Sequence, residues 1–168
     1  MRTAIGGTWV SQLIIIFMFI FVAYLALSIN YSKAFRVKNE TLTFIEKKEG
    51  ITKESIKYIN SYLKNSGYDS KGTCEDMGEN VYGVSDLNSA KFSLVKNFKT
   101  EYYYCISKYK EPAVNFKNKA SYEVRLFFKF NLPVLGDLSI INVDGQTKDV
   151  IYPADGDCKK AGAIKCNK

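Results

Sequence analysis

The stretch that decides the fold is VSQLIIIFMFIFVAYLALSI, from Val10 to Ile29, in which 17 of 20 residues are apolar. It lies inside a longer segment, between Arg2 and Lys33, that contains no charged side chain. A helix of about 20 apolar residues matches the hydrocarbon thickness of a bilayer, and few soluble proteins bury a helix that is apolar on every face. The stretch therefore predicts a transmembrane helix at residues 8–30. A cleaved secretory signal is the alternative, although the run is longer than such signals usually are.

The residues around this helix give two opposite indications of its orientation. Basic residues are more numerous after it (Lys33, Arg36, Lys38) than before it (Arg2), which mildly favours a cytoplasmic C-terminal part. All four cysteines follow the helix, and paired cysteines are typical of oxidising compartments. We give the cysteines more weight, because large domains translocate largely regardless of flanking charge. We therefore expect a single-pass cell membrane protein with its C-terminal domain outside.

Cys74, Cys105, Cys158 and Cys166 predict two disulfides. Reduced, buried thiols are the alternative. A zinc site is disfavoured because the chain contains neither a C-x-x-C motif nor a histidine. Four cysteines allow three pairings. We favour Cys74 with Cys105 and Cys158 with Cys166, because the second pair closes a short loop, but the sequence alone leaves the connectivity open.

The apolar stretch is predicted to continue into an amphipathic helix. Residues 31–49 contain neither Gly nor Pro, so we predict one long helix from about residue 9 to residue 48, ended by Gly50. The apolar residues of its second half fall near one helical face and are Tyr31, Phe35, Leu42 and Ile45.

A second, short helix is predicted directly afterwards. Thr52 is a suitable N-cap and Gly67 a suitable terminator. Its inward side chains are predicted to be Ile56, Ile59 and Leu63.

The rest of the chain is predicted to form a loop and then an antiparallel sheet. Residues 72–91 are rich in Gly, Asn and Asp, which is typical of a loop. Apolar and polar residues then alternate, and four strands are predicted, at Tyr102–Lys108, around 122–131, at Leu138–Val143 and at Gln146–Tyr152. Asp144-Gly145 between the last two is typical of a two-residue hairpin turn. The fold class is therefore α+β: a long N-terminal helix, a short second helix and an antiparallel sheet of about four strands.

The residue types present exclude most chemistry. The chain has no histidine, which excludes triads with a histidine base and histidine-ligated metals. We predict a non-enzymatic protein without cofactor or metal. The part after the apolar stretch carries a net charge of +6, with lysines interleaved with Tyr and Phe. This pattern is typical of a solvated basic surface, and an anionic surface polymer or DNA is the alternative partner.

The chain resembles type IV pilins at several points. Gly6-Gly7 stands just before the apolar segment, behind a short leader with one basic residue, as a prepilin peptidase site does. ALSINYSKAFRVKNETL (26–42) is similar to the segment after the membrane helix of TadE-like minor pseudopilins, and VRLFFKFNLPVLGDLSIINVDGQTKDVIY (124–152) is similar to their final strands.

This resemblance implies a leader at 1–7, a transmembrane helix at 8–30 and an extracytoplasmic α+β domain with two disulfides at 31–168. Cleavage after Gly7 by a prepilin peptidase would make Thr8 the new N-terminus. Gln12 then occupies the fifth position, where pilins usually carry Glu, and is the assembly residue. The implied function is a structural minor pseudopilin of a surface filament or of a secretion or adherence machine, which contacts other pilin-like subunits through this helix. A stand-alone, membrane-anchored extracellular binding or accessory module is the alternative.

Overall fold

The protein has the α+β fold that the sequence predicts. The structure, a computed structural model, describes residues 2–78, 80–97, 99–114, 117–132 and 136–151. It contains two helices, α1 (Arg2–Lys47) and α2 (Lys53–Asn65). Eight strands follow: β1 (Gly72–Thr73), β2 (Val81–Val84), β3 (Ser93–Leu94), β4 (Glu101–Tyr102), β5 (Tyr104–Val114), β6 (Lys117–Leu132), β7 (Gly136–Gln146) and β8 (Val150–Ile151).

The prediction of one long N-terminal helix is confirmed. α1 is continuous over 46 residues, because no glycine or proline interrupts the chain between Gly7 and Gly50. It ends at Lys47, and the amide of Gly50 donates a hydrogen bond of 3.0 Å to the carbonyl of Ile45.

The predicted start and stop of α2 are also confirmed. The Thr52 hydroxyl accepts from the Ser55 amide at 3.0 Å, and the Ser55 hydroxyl oxygen accepts from the Thr52 amide at 2.8 Å. This reciprocal capping box satisfies two donors at the helix start. Gly67 follows the helix with a φ of +69°, a left-handed conformation that favours glycine.

The main sheet has more strands than the four predicted. Five strands lie in the order β3-β2-β5-β6-β7, β8 pairs with β6 beyond the end of β7, and β1 pairs with β4 in a separate ribbon. The interpretation of residues 72–91 as a loop was wrong, because this segment contains β1 and β2. All four residues of β2 are buried, so the strand lacks the alternation by which a half-buried strand is recognised.

The predicted hairpin turn at Asp144-Gly145 was also wrong, since both residues lie inside β7, opposite Arg125 and Val124 of β6. Asp144 is held there by Arg125, whose Nε lies 2.7 Å from Oδ1. A Cβ at Gly145 would come within 2.9 Å of the Leu42 side chain on α1. The glycine therefore serves a close helix–strand approach instead of a turn.

The second half of α1 carries one side of the core. Its buried residues follow a spacing of three and four and are Ala34, Val37, Thr41 and Ile45. Of the inward face predicted from the sequence, Ile45 is fully buried and Leu42 partly so, whereas Tyr31 and Phe35 are exposed. The rings of Tyr31 and Phe35 contact each other on the exposed side of the helix, with centroids 4.7 Å apart. The helical spacing of apolar residues does not by itself distinguish such an exposed pair from a buried one.

A second apolar cluster covers the opposite face of the sheet. It contains the predicted disulfide between Cys74 and Cys105, whose Cα atoms lie 5.9 Å apart, together with Met77 and Phe127. This bond ties the loop before β2 to β5. The other predicted pair, Cys158 and Cys166, lies outside the described residues.

Candidate functional site: the exposed apolar stem of the long helix

The first half of α1 is an apolar helix whose large side chains are exposed. We call residues 8–29 the stem. Its large apolar side chains are open to the surroundings on every side, from Trp9, which is 67% exposed, to Ile29, which is 69% exposed. Ala34, just over one turn further on, is fully buried. One continuous helix thus changes from an uncovered to a packed element within two turns.

The stem has the dimensions of a membrane span. Its 22 residues extend for about 33 Å at a rise of about 1.5 Å per residue, against a hydrocarbon core of about 30 Å. An 18-residue window within the helix has a mean hydropathy of 2.6 and contains no buried residue. The helix is therefore long and apolar enough to span a membrane.

The composition of α1 changes immediately after the stem. The rings of Tyr31 and Phe35 are in contact, and Nζ of Lys38 lies 4.4 Å from the centroid of the Phe35 ring. Lys33 and Arg36 add two further positive charges within the same turns. Aromatic rings and basic side chains together are typical of the headgroup level of a bilayer. We call residues 31–38 the collar.

The three residues that the sequence analysis assigned to processing and assembly lie at the far end of the same helix. Gly7 and Thr8 belong to α1, and Gln12 is exposed in the first turns of the stem. Thr8 and Gln12 are four residues apart and share one helical face. Gly7, Thr8 and Gln12 thus lie on one helix, and the Cys74–Cys105 disulfide lies in the folded domain.

Within the described parts of the domain, no group of three or more Cys, Asp or Glu side chains is arranged to hold a metal ion. The Tyr109 hydroxyl donates a hydrogen bond of 2.8 Å to Glu123, and this bond raises the pKa of Tyr109. Arg125 forms an ion pair with Asp144, which raises the pKa of the guanidinium further. These pairs join β5 to β6 and β6 to β7.

One small pocket lies where the stem meets the domain. It has a volume of about 120 Å³ and is lined in part by Asn30 and Lys33 of α1 and by Phe128 and Lys129 of β6. Sequence reasoning missed this neighbourhood, because it interpreted the run around residue 130 only as the end of a strand. The apolar composition of FNLPVLGDLSII, residues 130–141, was the signal that could have indicated it.

Comparison of the chain with protein-family models, with curated proteins and with solved structures found no match. The interpretation of function therefore depends on three physical features of the chain. These are the uncovered stem, the collar that follows it and the disulfide in the folded domain.

Proposed function

We propose that this protein is a structural, non-enzymatic, pilin-like subunit of the minor pseudopilin type. The stem anchors it in the cell membrane and later assembles it with other subunits of a surface filament or of a secretion or adherence machine. The observation that carries this proposal is that the stem is apolar on all sides and uncovered, while the same helix, from Ala34 onward, carries the core of the domain.

A helix with this surface requires an apolar environment all round. A bilayer provides one, and a bundle of identical helices provides another, so the same surface suits both the anchored and the assembled state. A helix that only lay on a membrane would need a polar face. The stem carries exposed rings on opposite faces, because Phe17 and Phe21 stack on one face with centroids 6.5 Å apart and Phe19 lies on the other.

The disulfide supports an orientation with the domain outside the cell. Cys74 and Cys105 are fully buried and bonded, and structural disulfides persist in oxidising compartments. The basic residues of the collar would by themselves favour the cytoplasmic side. The excess over the N-terminal flank is small, and a folded domain of this size translocates largely regardless of such charges.

Gln12 supports a minor role in the assembly. A buried amide needs a hydrogen-bond partner, and in a bundle of stems the backbone or new N-terminus of a neighbouring subunit can provide it. An uncharged amide makes a weaker pair than a carboxylate would. We therefore propose an initiating or priming subunit, with cleavage after Gly7 that makes Thr8 the first residue.

N-terminal sequencing of the protein purified from its native membrane tests the processing step. We expect the chain to begin at Thr8 and Gly7→Leu to block cleavage. Gln12→Leu should reduce incorporation into assemblies without changing the fold or the disulfide, and Ser11→Ala is the matched control. A native protein that begins at Met1 or Arg2 would contradict the processing step, and the stand-alone membrane-anchored module would become the better interpretation.

Orientation is tested separately, by protease treatment of intact cells. Cleavage within the domain, with the stem protected, is the expected result. Protection of the region around Cys105 from external protease would place the domain inside the cell and overturn the proposed topology.

A further inference from the structure

The β6–β7 hairpin runs alongside α1 in a way that fixes its direction relative to the stem. Near the end of α1, the amide of Lys148 donates a hydrogen bond of 2.8 Å to Oε1 of Glu46. One turn earlier on the helix, Leu42 approaches Gly145 of β7. Towards the stem, Lys33 shares a pocket with Lys129 of β6. The direction along α1 that leads towards the stem is therefore the direction along β6 that leads towards Leu132.

Both strands continue past the level of Lys33. β6 extends three residues beyond Lys129, to Leu132, and β7 begins at Gly136. Three residues of strand cover about 10 Å, which corresponds to about seven residues of helix. The described ends of β6 and β7 therefore reach the level of the last turn of the stem, where α1 carries no charge.

The chemistry of this end of the hairpin matches that of the stem. The sequence of the two strand ends, residues 130–132 and 136–141, contains one charged residue, Asp137. Ile140 and Ile141 are consecutive residues of β7 and so face opposite sides of the ribbon. They are 41% and 44% exposed. Both faces of β7 thus present an open isoleucine at the height of the collar.

Lysine side chains of α1 and of β6 lie at the same level along the long helix. Lys33 of α1 and Lys129 of β6 line one pocket, with Asp69 as the acidic residue beside them. Lys38 lies one turn further along α1, over the Phe35 ring. Basic side chains above an apolar surface complement the phosphates of anionic headgroups. The change from apolar to basic therefore occurs at one level in the helix and in the hairpin.

We propose that this end of the β6–β7 hairpin is a second membrane contact, with Ile140 and Ile141 in the lipid interface and Lys33 and Lys129 among the headgroups. The domain is then seated on the bilayer in one orientation instead of swinging on the stem. The proposal depends on the stem being the membrane anchor, and it adds a lipid-binding surface in the folded domain.

Tryptophan fluorescence tests the contact, because Trp9 is the only tryptophan of the chain. The full chain is reconstituted in phosphatidylcholine–phosphatidylglycerol vesicles whose acyl chains are brominated near the headgroup. In the background Trp9→Phe, we compare Ile141→Trp with Leu94→Trp. Leu94 is 48% exposed and is aligned through β2 and β5 with Val124 of β6. Val124 lies four strand residues from Phe128, the partner of Ile141, so Leu94 is about 13 Å further from the stem. We expect emission from Ile141→Trp to shift to the blue and to be quenched several times more than emission from Leu94→Trp.

The unaltered protein separates failure of this proposal from failure of the anchor. If bromolipid quenches Trp9 but quenches the two new tryptophans equally, the hairpin contact is overturned and the anchor stands. If Trp9 is not quenched, both fail. A blue shift of Ile141→Trp that depends on protein density and not on bromolipid would assign the surface to a second copy of the chain, which also overturns the lipid contact. Because both substituted side chains are exposed, the fold is expected to tolerate them, and an intact Cys74–Cys105 bond confirms this.

Discussion

The hydroxyl of Tyr104 donates a hydrogen bond of 2.9 Å to Oδ1 of Asn60, and both side chains are buried. Nδ2 of Asn60 in turn donates to the carbonyl of Ser89 at 2.8 Å. The amide thus joins α2, β5 and the segment that precedes β3. The position of α2 on the sheet is fixed by a satisfied polar network as well as by apolar packing.

Asn60→Leu should lower the free energy of unfolding by about 1–3 kcal/mol, because it leaves a buried hydroxyl and a carbonyl without this partner. Urea unfolding in detergent, followed by circular dichroism of the tyrosines, measures the change. Asn88→Ala is the matched control, since Asn88 makes its hydrogen bonds at the exposed surface. If both substitutions lowered the free energy of unfolding equally, the buried network would contribute no more to stability than hydrogen bonds at the surface do.

Two buried tyrosines predict a loss of stability in alkali. Burial raises the pKa of Tyr68 and that of Tyr104 above the ordinary value of 10.0. Below pH 10 both tyrosines are neutral in the folded and in the unfolded chain, so their contribution to the free energy of unfolding is fully present there. Above it, only the unfolded chain ionises, and stability falls by about 1.4 kcal/mol per pH unit for each tyrosine.

Unfolding measured between pH 9 and pH 11.5 tests this dependence. Tyr68→Phe should lower stability at neutral pH, because its hydroxyl donates to the Tyr103 carbonyl and accepts from the Phe127 amide. It should also make the alkaline slope shallower. An unchanged slope would show that Tyr68 ionises in the folded state as readily as in the unfolded one.

Removal of the Cys74–Cys105 bond should lower the free energy of unfolding of the domain. The bond closes a loop with a sequence separation of 31 residues, for which about 2–4 kcal/mol of stabilisation is expected. We expect Cys74→Ser with Cys105→Ser to lower the urea midpoint by a corresponding amount. Non-reducing mass mapping of the native protein should recover both residues in one linked peptide pair, and free thiols at these positions would contradict the structure.

A fragment of residues 31–168 should fold without the stem. Among the residues that the structure describes, the buried apolar core begins at Ala34, and residues 8–30 contribute no buried side chain. Deletion of residues 1–30 therefore leaves this core intact. The fragment should be soluble without detergent and should show the same tyrosine circular dichroism as the full chain. Aggregation of the fragment, or loss of this signal, would mean that the stem also stabilises the domain.

The sequence by itself determined the features that depend on neighbouring residues. The stem follows from an uncharged apolar run, α2 from Thr52 and Gly67, and the α+β class from a period that changes from helical to alternating. Each of these signals is local, because helix caps, helical periodicity and strand alternation are properties of a few consecutive residues.

Only the tertiary structure decided what distant residues do to each other. Asp144-Gly145 has the local signature of a turn, yet Arg125 and the close approach of α1 keep both residues in β7. Tyr31 and Phe35 have the spacing of core residues, yet they lie outside, because the sheet packs against the face that carries Ala34 and Val37. The physical reason is that burial and strand pairing depend on which elements meet in space. The free energy of those contacts exceeds the preference of a dipeptide or of a single helical face.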